Sequence, residues 1–367
     1  MRILFLTKRY YTSRDLIADH YGRLYEIPDC LSRSGHTVDL ICHNYRNGPE
    51  FTAIENPNLT LSSWNLGADP VTGFWRHYRR MDEIINKSRP DIVIAASDCY
   101  QIIIGSALAR KHSIPWIADL YDNFAYYKAS RIPGVLPLFG RALKNVNAIT
   151  AVSGTLIGLV KKKYTPAGKL HLVENAVSEN FNVKRDRQVS RRHFSFEDDR
   201  IYIGTAGELS REKGVDLLVR VFAEIAEEND KLTLVLAGKK ERRLNIPDGK
   251  SVRYLGLLQY NEIPALFSAL DIGIVCIKDN DFGRYCFPQK FYEMAACGLP
   301  LVAADVGEMS TLLESFPGFL YRPDSSTDLK RAILQQIVNR QRLTMDVPTW
   351  KLQAEKFDRV IRDVVNK

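Results

Sequence analysis

Residues 203–228 read IGTAGELSREKGVDLLVRVFAEIAEE. A short apolar run ends in Gly204-Thr-Ala-Gly207, a polar turn follows, and Lys213-Gly214 opens a long amphipathic pattern. Strand, glycine turn and helix in this order begin a βαβ unit. A helix N-terminus carries unpaired N–H groups and a partial positive charge, so a lysine beside it is unfavourable unless an anion joins them. Lys213, with Arg211 and the turn glycine Gly207, is therefore a candidate phosphate site. A solvated lysine in a polar loop is the competing reading.

The same rhythm extends outward. In the second half LTLVLAG, SVRYLG, IGIVCI and LPLVAA also read as strands, each close to a helical pattern. In the first half RILFL, TVDLIC, LTLSSW, DIVIAA, PWIADL and AITAVS alternate with helical DHYGRLYEIPDCLSRSG, GFWRHYRRMDEIINKS and YQIIIGSALARKHS. Alternation of this kind predicts doubly wound α/β domains, with parallel sheets covered by helices on both faces. The rhythm breaks at residues 178–199, which are charged and poor in aliphatic residues and read as linker and exposed surface. The expected organisation is an N-terminal domain over 1–178, a second domain over 179–345, and a terminal helix over 346–367. Trp350, Phe357, Val360, Ile361 and Val364 share one stripe of that helix, which predicts that it packs back on the first domain. Open parallel sheets bind ligands outside the carboxyl ends of their strands, so two facing sheets predict an interdomain cleft as the site.

The 367 residues suit two domains, and 45% hydrophobic content is enough for two cores. A net charge of +8 favours anionic partners: phosphorylated ligands, nucleic acid or an anionic membrane surface. No zinc-finger spacing, RNP-like aromatic pattern or dense basic tail is present, which makes nucleic acid the weakest of the three. No apolar run reaches the roughly 18 residues of a membrane span, and MRILFLTKRYY is too short in its apolar part for a signal peptide. The six cysteines show no C-x-x-C spacing, as expected of buried thiols in a reduced, cytoplasmic setting. No G-x-G-x-x-G follows a predicted strand, which argues against a dehydrogenase.

Residues 287–307, FPQKFYEMAACGLPLVAADVG, start a helix after Pro288 and continue into a strand. Lys290 and Glu293 lie three apart on its face. They either pair with each other at the surface or turn to a ligand, where a carboxylate accepts hydrogen bonds from a diol such as ribose. In the first half PWIADLYDNF ends a strand with Asp119, Tyr121, Asp122 and Asn123, placed to meet sugar hydroxyls or to cap a helix. The loop TKRYYTSRDLIADHYG, with Tyr10, Tyr11 and Gly22, is expected to line the same end of its sheet. His36 reads as a structural residue at a strand entry. FWRHYRRMDEIINK and KASRIPGVLPLFGRALKNV mix aromatic and basic residues, as a surface facing anionic lipid does, or as an ordinary helix with a packed aromatic face does.

GELSREKGVDLLVRVF, LVLAGKKE, VRYLGLLQYNEIPALFSALDIGIVCI and KFYEMAACGLPLVAADVG, in this order, resemble the retaining glycosyltransferases of family 4. LSRSGHTVDLIC, ITAVSGTL and VENAVSENF extend the resemblance through the first half. It implies the GT-B fold, two facing Rossmann-like domains with an interdomain cleft, and a hexosyltransferase that moves a sugar from a UDP- or GDP-sugar to an acceptor hydroxyl with retention. By the resemblance Lys213 meets the donor diphosphate, Glu293 holds the ribose, and Gly207, Arg211, Phe287, Pro288 and Lys290 lie near the donor. Asp119 falls where the family places a polar group facing the sugar, and is expected with Lys213 to be catalytic; Tyr10, Tyr11, Gly22 and Asp122 are expected on the acceptor. The resemblance implies no cofactor and no divalent metal, and a saccharide or lipid-linked acceptor in polysaccharide or glycolipid synthesis at the inner face of the cell membrane. Where the family has an arginine this chain has Glu208, and Tyr285 replaces its first motif glutamate. A GT-B epimerase or phosphorylase, or a non-catalytic partner of the same fold, remains an alternative.

Overall fold

The computed structural model describes residues 1–11, 14–67, 69–247 and 249–366. The chain divides into two compact units, Met1–Asn175 with Trp350–Lys367, and Ala176–Thr349. Their boundaries fall three and four residues from the expected 178/179 and 345/346.

The first unit is built on an eight-stranded sheet. Its strands run in the order Lys169–Leu172, Ala148–Ala151, Trp116–Leu120, Ile92–Ala96, Arg2–Lys8, Thr37–Asn44, Leu59–Asn65 and Phe51–Asn56. All neighbours are parallel except the last pair. Ile92–Ala96 and Trp116–Leu120 are buried at every residue, as strands covered on both faces must be. From Arg2–Lys8 the chain adds strands first on one side and then on the other, so the topological switch lies between Arg2–Lys8 and Ile92–Ala96. The terminal helix Trp350–Val365 packs on the helix Arg23–Arg33, burying Trp350, Phe357 and Ile361. Lys356 Nζ lies 3.3 Å from Glu174 Oε2 and ties it further.

The second unit holds a six-stranded parallel sheet, in the order Val252–Gly256, Leu232–Ala237, Ile201–Ala206, Ile272–Val275, Leu301–Ala304 and Leu320–Tyr321. Its switch lies between Ile201–Ala206 and Ile272–Val275. The charged stretch expected to be linker folds otherwise. Arg187–His193 is a helix whose Asp186 caps Val189 N–H. Its Arg187 and Arg191 both reach the fully buried Asp271, joined by Arg340 at 2.6 Å. Those cations serve a buried anion some 80 residues away, which local periodicity does not show.

Asp119 does not face a ligand. It is fully buried, and its carboxylate accepts from Arg23 Nε at 2.9 Å, Arg23 Nη2 at 2.6 Å and Thr150 Oγ1 at 2.6 Å. Arg23, equally buried, also donates to the Val173 and Glu174 carbonyls. The expected catalytic role of Asp119 therefore gives way to a structural one, because a side chain with no exposure and this many donors has nothing left for a sugar. Removing one member of such a pair strands the other charge at a cost of about 3–5 kcal/mol. Asp119→Ala is expected to lower unfolding stability by about that much, read from urea denaturation. A variant that keeps its stability and loses only turnover would contradict this assignment.

Candidate functional site

The carboxyl end of Ile201–Ala206 is the centre of the candidate site. Gly207 takes φ +117°, and the next strand ends in Gly238 at φ +130°. A Cβ on Gly238 would stand 1.7 Å from the Gly207 carbonyl oxygen, so only glycine lets these strand ends close together. A Cβ on Gly207 would stand 3.5 Å from Lys290 Nζ. The Lys290 ammonium thus lies at contact distance from the backbone at 207, at the switch between strands.

Lys290 comes from the helix Gln289–Ala296, entered through Pro288. Burial and the nearby Lys213 push its pKa down to about 8, against the pull of Cys276, Glu293 and Glu208. Lys213 precedes the helix Val215–Glu228, whose start is set by Gly214 in the left-handed region and by Ser210 Oγ accepting the Lys213 N–H at 3.3 Å. Its Nζ lies 3.3 Å from Glu208 Oε2 and 5.5 Å from the centre of the Phe282 ring. Phe282 sits in a turn built by Asn280, whose side-chain oxygen accepts from the Phe282 and Gly283 N–H groups. Arg211 is mostly exposed, 3.9 Å from Asp216, and its N–H donates to Glu241. Lys278 approaches Asp216 at 3.8 Å.

Glu293 is buried and accepts from Tyr260 Oη and Gln289 Nε2, each at 3.2 Å. Phe287 is also buried, with its ring 4.7 Å from that of Tyr292. The sequence reading missed Phe282, Asn280 and Lys278, which lie in a loop with no periodic signal.

In the first unit the expected residues spread around its own switch. Tyr10 lies under the Arg46 guanidinium, 3.9 Å from the ring centre, and the Tyr11 side chain lies outside the described positions. Gly22, at φ 72°, precedes the helix that carries Arg23 inward. Asp122 accepts from the Asn123 N–H at 2.8 Å and from the Tyr127 hydroxyl. Lys8, unremarked in the sequence, ends the central strand there. Burial lowers its pKa, against the opposing pull of Asp98 and Asp122.

The Lys290 shift gives an expected pH dependence. An anion bound at Gly207 loses a charge partner as the ammonium deprotonates, so affinity for pyrophosphate falls as pH rises through about 8. Calorimetry from pH 7 to 9 checks this, and Lys290→Arg is expected to flatten the decline.

Comparison with known proteins bears on the family and the fold. Residues 200–339 match the family model described as glycosyl transferases group 1, and residues 23–181 match that of glycosyltransferase family 4. The α-monoglucosyldiacylglycerol synthase of Streptococcus pneumoniae is 22% identical over 91% of this chain and 79% of its own length. Sucrose-phosphate synthase from Thermosynechococcus elongatus superposes with a TM-score of 0.76 at 15% identity, over 100% of this chain and 95% of that one. Anabaena HepE in complex with UDP superposes with a TM-score of 0.68 at 16% identity, over 100% and 96%. With its two Rossmann-like parallel-sheet domains of GT-B type, the chain belongs to the glycosyltransferases of family 4.

Proposed function

We propose that this protein transfers a sugar from a UDP- or GDP-sugar to an acceptor hydroxyl with retention of configuration. One observation carries the reading: the Lys290 ammonium lies against Gly207 and the Lys213 ammonium against Glu208, the next residue, at the side-chain-free end of a strand beside the switch point of a parallel sheet. Two such ammonium groups suit a diphosphate, whose growing charge they stabilise as it leaves. They do so without a divalent metal. Glu293 accepts from the ribose diol, exchanging its Tyr260 and Gln289 partners for it or sharing them. Retention follows when the acceptor attacks from the face the diphosphate leaves, with a diphosphate oxygen taking the proton. UDP is the first base to test, because HepE structures hold UDP and UDP-glucose.

The acceptor lies on the first unit, near Tyr10 and Asp122, in polysaccharide or glycolipid assembly. A lipid-linked acceptor is favoured by the composition of residues 123–173. They contain no aspartate or glutamate and eight lysines and arginines, all exposed. Ile132 and Leu138, 56% and 52% exposed, lie among Lys128, Arg131 and Arg141. Apolar and cationic groups on one surface suit an anionic bilayer. The helix Pro70–Ser88 contributes less, since Arg76 donates to the Leu66 carbonyl and Arg80 pairs with Glu50. Among the described residues no helix is long and apolar enough to cross a membrane. The proposed location is the cytoplasmic face of the membrane, as a peripheral protein.

Two measurements test these readings. Lys213→Ala is expected to lower kcat/KM for sugar transfer by about 100-fold or more with its melting temperature kept; full activity would remove the diphosphate role. Release of nucleotide and free sugar from the donor without acceptor, water taking the glycosyl group, would favour a hydrolytic epimerase of the same fold instead. Replacing Lys128, Arg131 and Arg141 by glutamine is expected to weaken binding to phosphatidylglycerol vesicles about 100-fold. Equal sedimentation of wild type and variant would remove the bilayer reading.

A further inference from the structure

Glu208 carries a charge opposite to what a diphosphate site needs. Its carboxylate oxygen lies 3.3 Å from Lys213 Nζ, and the side chain is 51% exposed, so nothing in the core requires it. It directly follows Gly207, against which the Lys290 ammonium sits. A phosphate oxygen bonded to Lys213 lies within about 6 Å of that carboxylate unless Glu208 turns away, close enough for strong repulsion between like charges. Lys213 does not need Glu208 to hold its place, because the Phe282 ring lies under its ammonium and the Lys213 N–H is fixed on Ser210.

We propose that Glu208 is a built-in rival of the diphosphate: it competes for Lys213 and sets how tightly the site holds both donor and product. The inference rests on the nucleotide-sugar reading for its purpose, but its charge mechanism requires only that an anion bind at Lys213. An enzyme whose leaving group remains strongly bound turns over slowly, and a competing carboxylate within the site weakens that hold. Because Glu208 is half exposed, its replacement is expected to leave the fold intact.

The test is calorimetry with inorganic pyrophosphate and, separately, with UDP, on wild type, Glu208→Gln and Glu208→Asp. Glu208→Gln is expected to bind pyrophosphate about 5- to 30-fold tighter, the gain shrinking as sodium chloride screens it. Glu208→Asp, which keeps the charge, is expected to stay within about threefold of wild type. Product inhibition by UDP is expected to strengthen in Glu208→Gln. Unchanged or weaker pyrophosphate binding in Glu208→Gln would overturn the proposal, the weaker case assigning Glu208 to ligand hydroxyls or to orienting Lys213. If Glu208→Gln tightens pyrophosphate while UDP binds no better than pyrophosphate, the rival carboxylate stands and the nucleotide reading falls. If UDP binds better than pyrophosphate in every variant but Glu208→Gln changes neither, the nucleotide reading stands and this inference falls. If neither probe binds any variant, both fall.

Discussion

The site depends on the absence of a side chain at one strand end. Gly207 and Gly238 terminate neighbouring strands with backbone angles that residues bearing a Cβ avoid, and they close on each other until no Cβ fits between them. That contact leaves the backbone bare where the sheet switches direction. Lys290 then approaches from the helix after Pro288, and Lys213 from the turn before Gly214. A larger residue at 207 would meet the Lys290 ammonium and strain the turn; one at 238 would meet the backbone itself. The proposed chemistry of the second unit rests on this geometry, since two ammonium groups held near each other are costly without an anion.

Charge is used in two ways within the same chain. Arg23 with Asp119, and Asp271 with Arg187, Arg191 and Arg340, are buried clusters in which each carboxylate is filled by donors of its own unit. They join segments distant in sequence and contribute specificity of packing rather than reactivity. The groups around Gly207 differ: Glu208 and Arg211 are exposed, Lys213 is half-buried, and all are loosely paired, at 3.3 Å and 3.9 Å. Loose pairing at a strand end leaves charge that a ligand can take over, whereas the dense pairing at Asp119 and Asp271 does not. Better than residue type does, this contrast separates the charges that are fully paired within the fold from those that are not.

Much of the fold was legible because parallel sheets write themselves into sequence. Strands buried on both faces must be apolar throughout, as in DIVIAA, and the helices between them must be amphipathic. The glycine turn and lysine at 207–214 were legible for a local reason, since the strand, turn and helix that place them are contiguous. The helix Arg187–His193 was not, because its cations answer Asp271, some 80 residues later. Phe282 and Asn280 were equally hidden, lying in a loop whose shape comes from side-chain to backbone hydrogen bonds.

The amino-acid order alone thus established two doubly wound α/β domains, a terminal amphipathic helix and a phosphate-suited turn at Lys213, because each is a property of neighbouring residues and their period. Tertiary structure alone decided which charges are spent. Asp119 and Glu208 are both acidic residues at or just beyond a strand's carboxyl end, yet one is enclosed by Arg23 and Thr150 while the other rests half exposed on Lys213. The difference lies in which distant donors the fold brings to each carboxylate, and no local pattern encodes that.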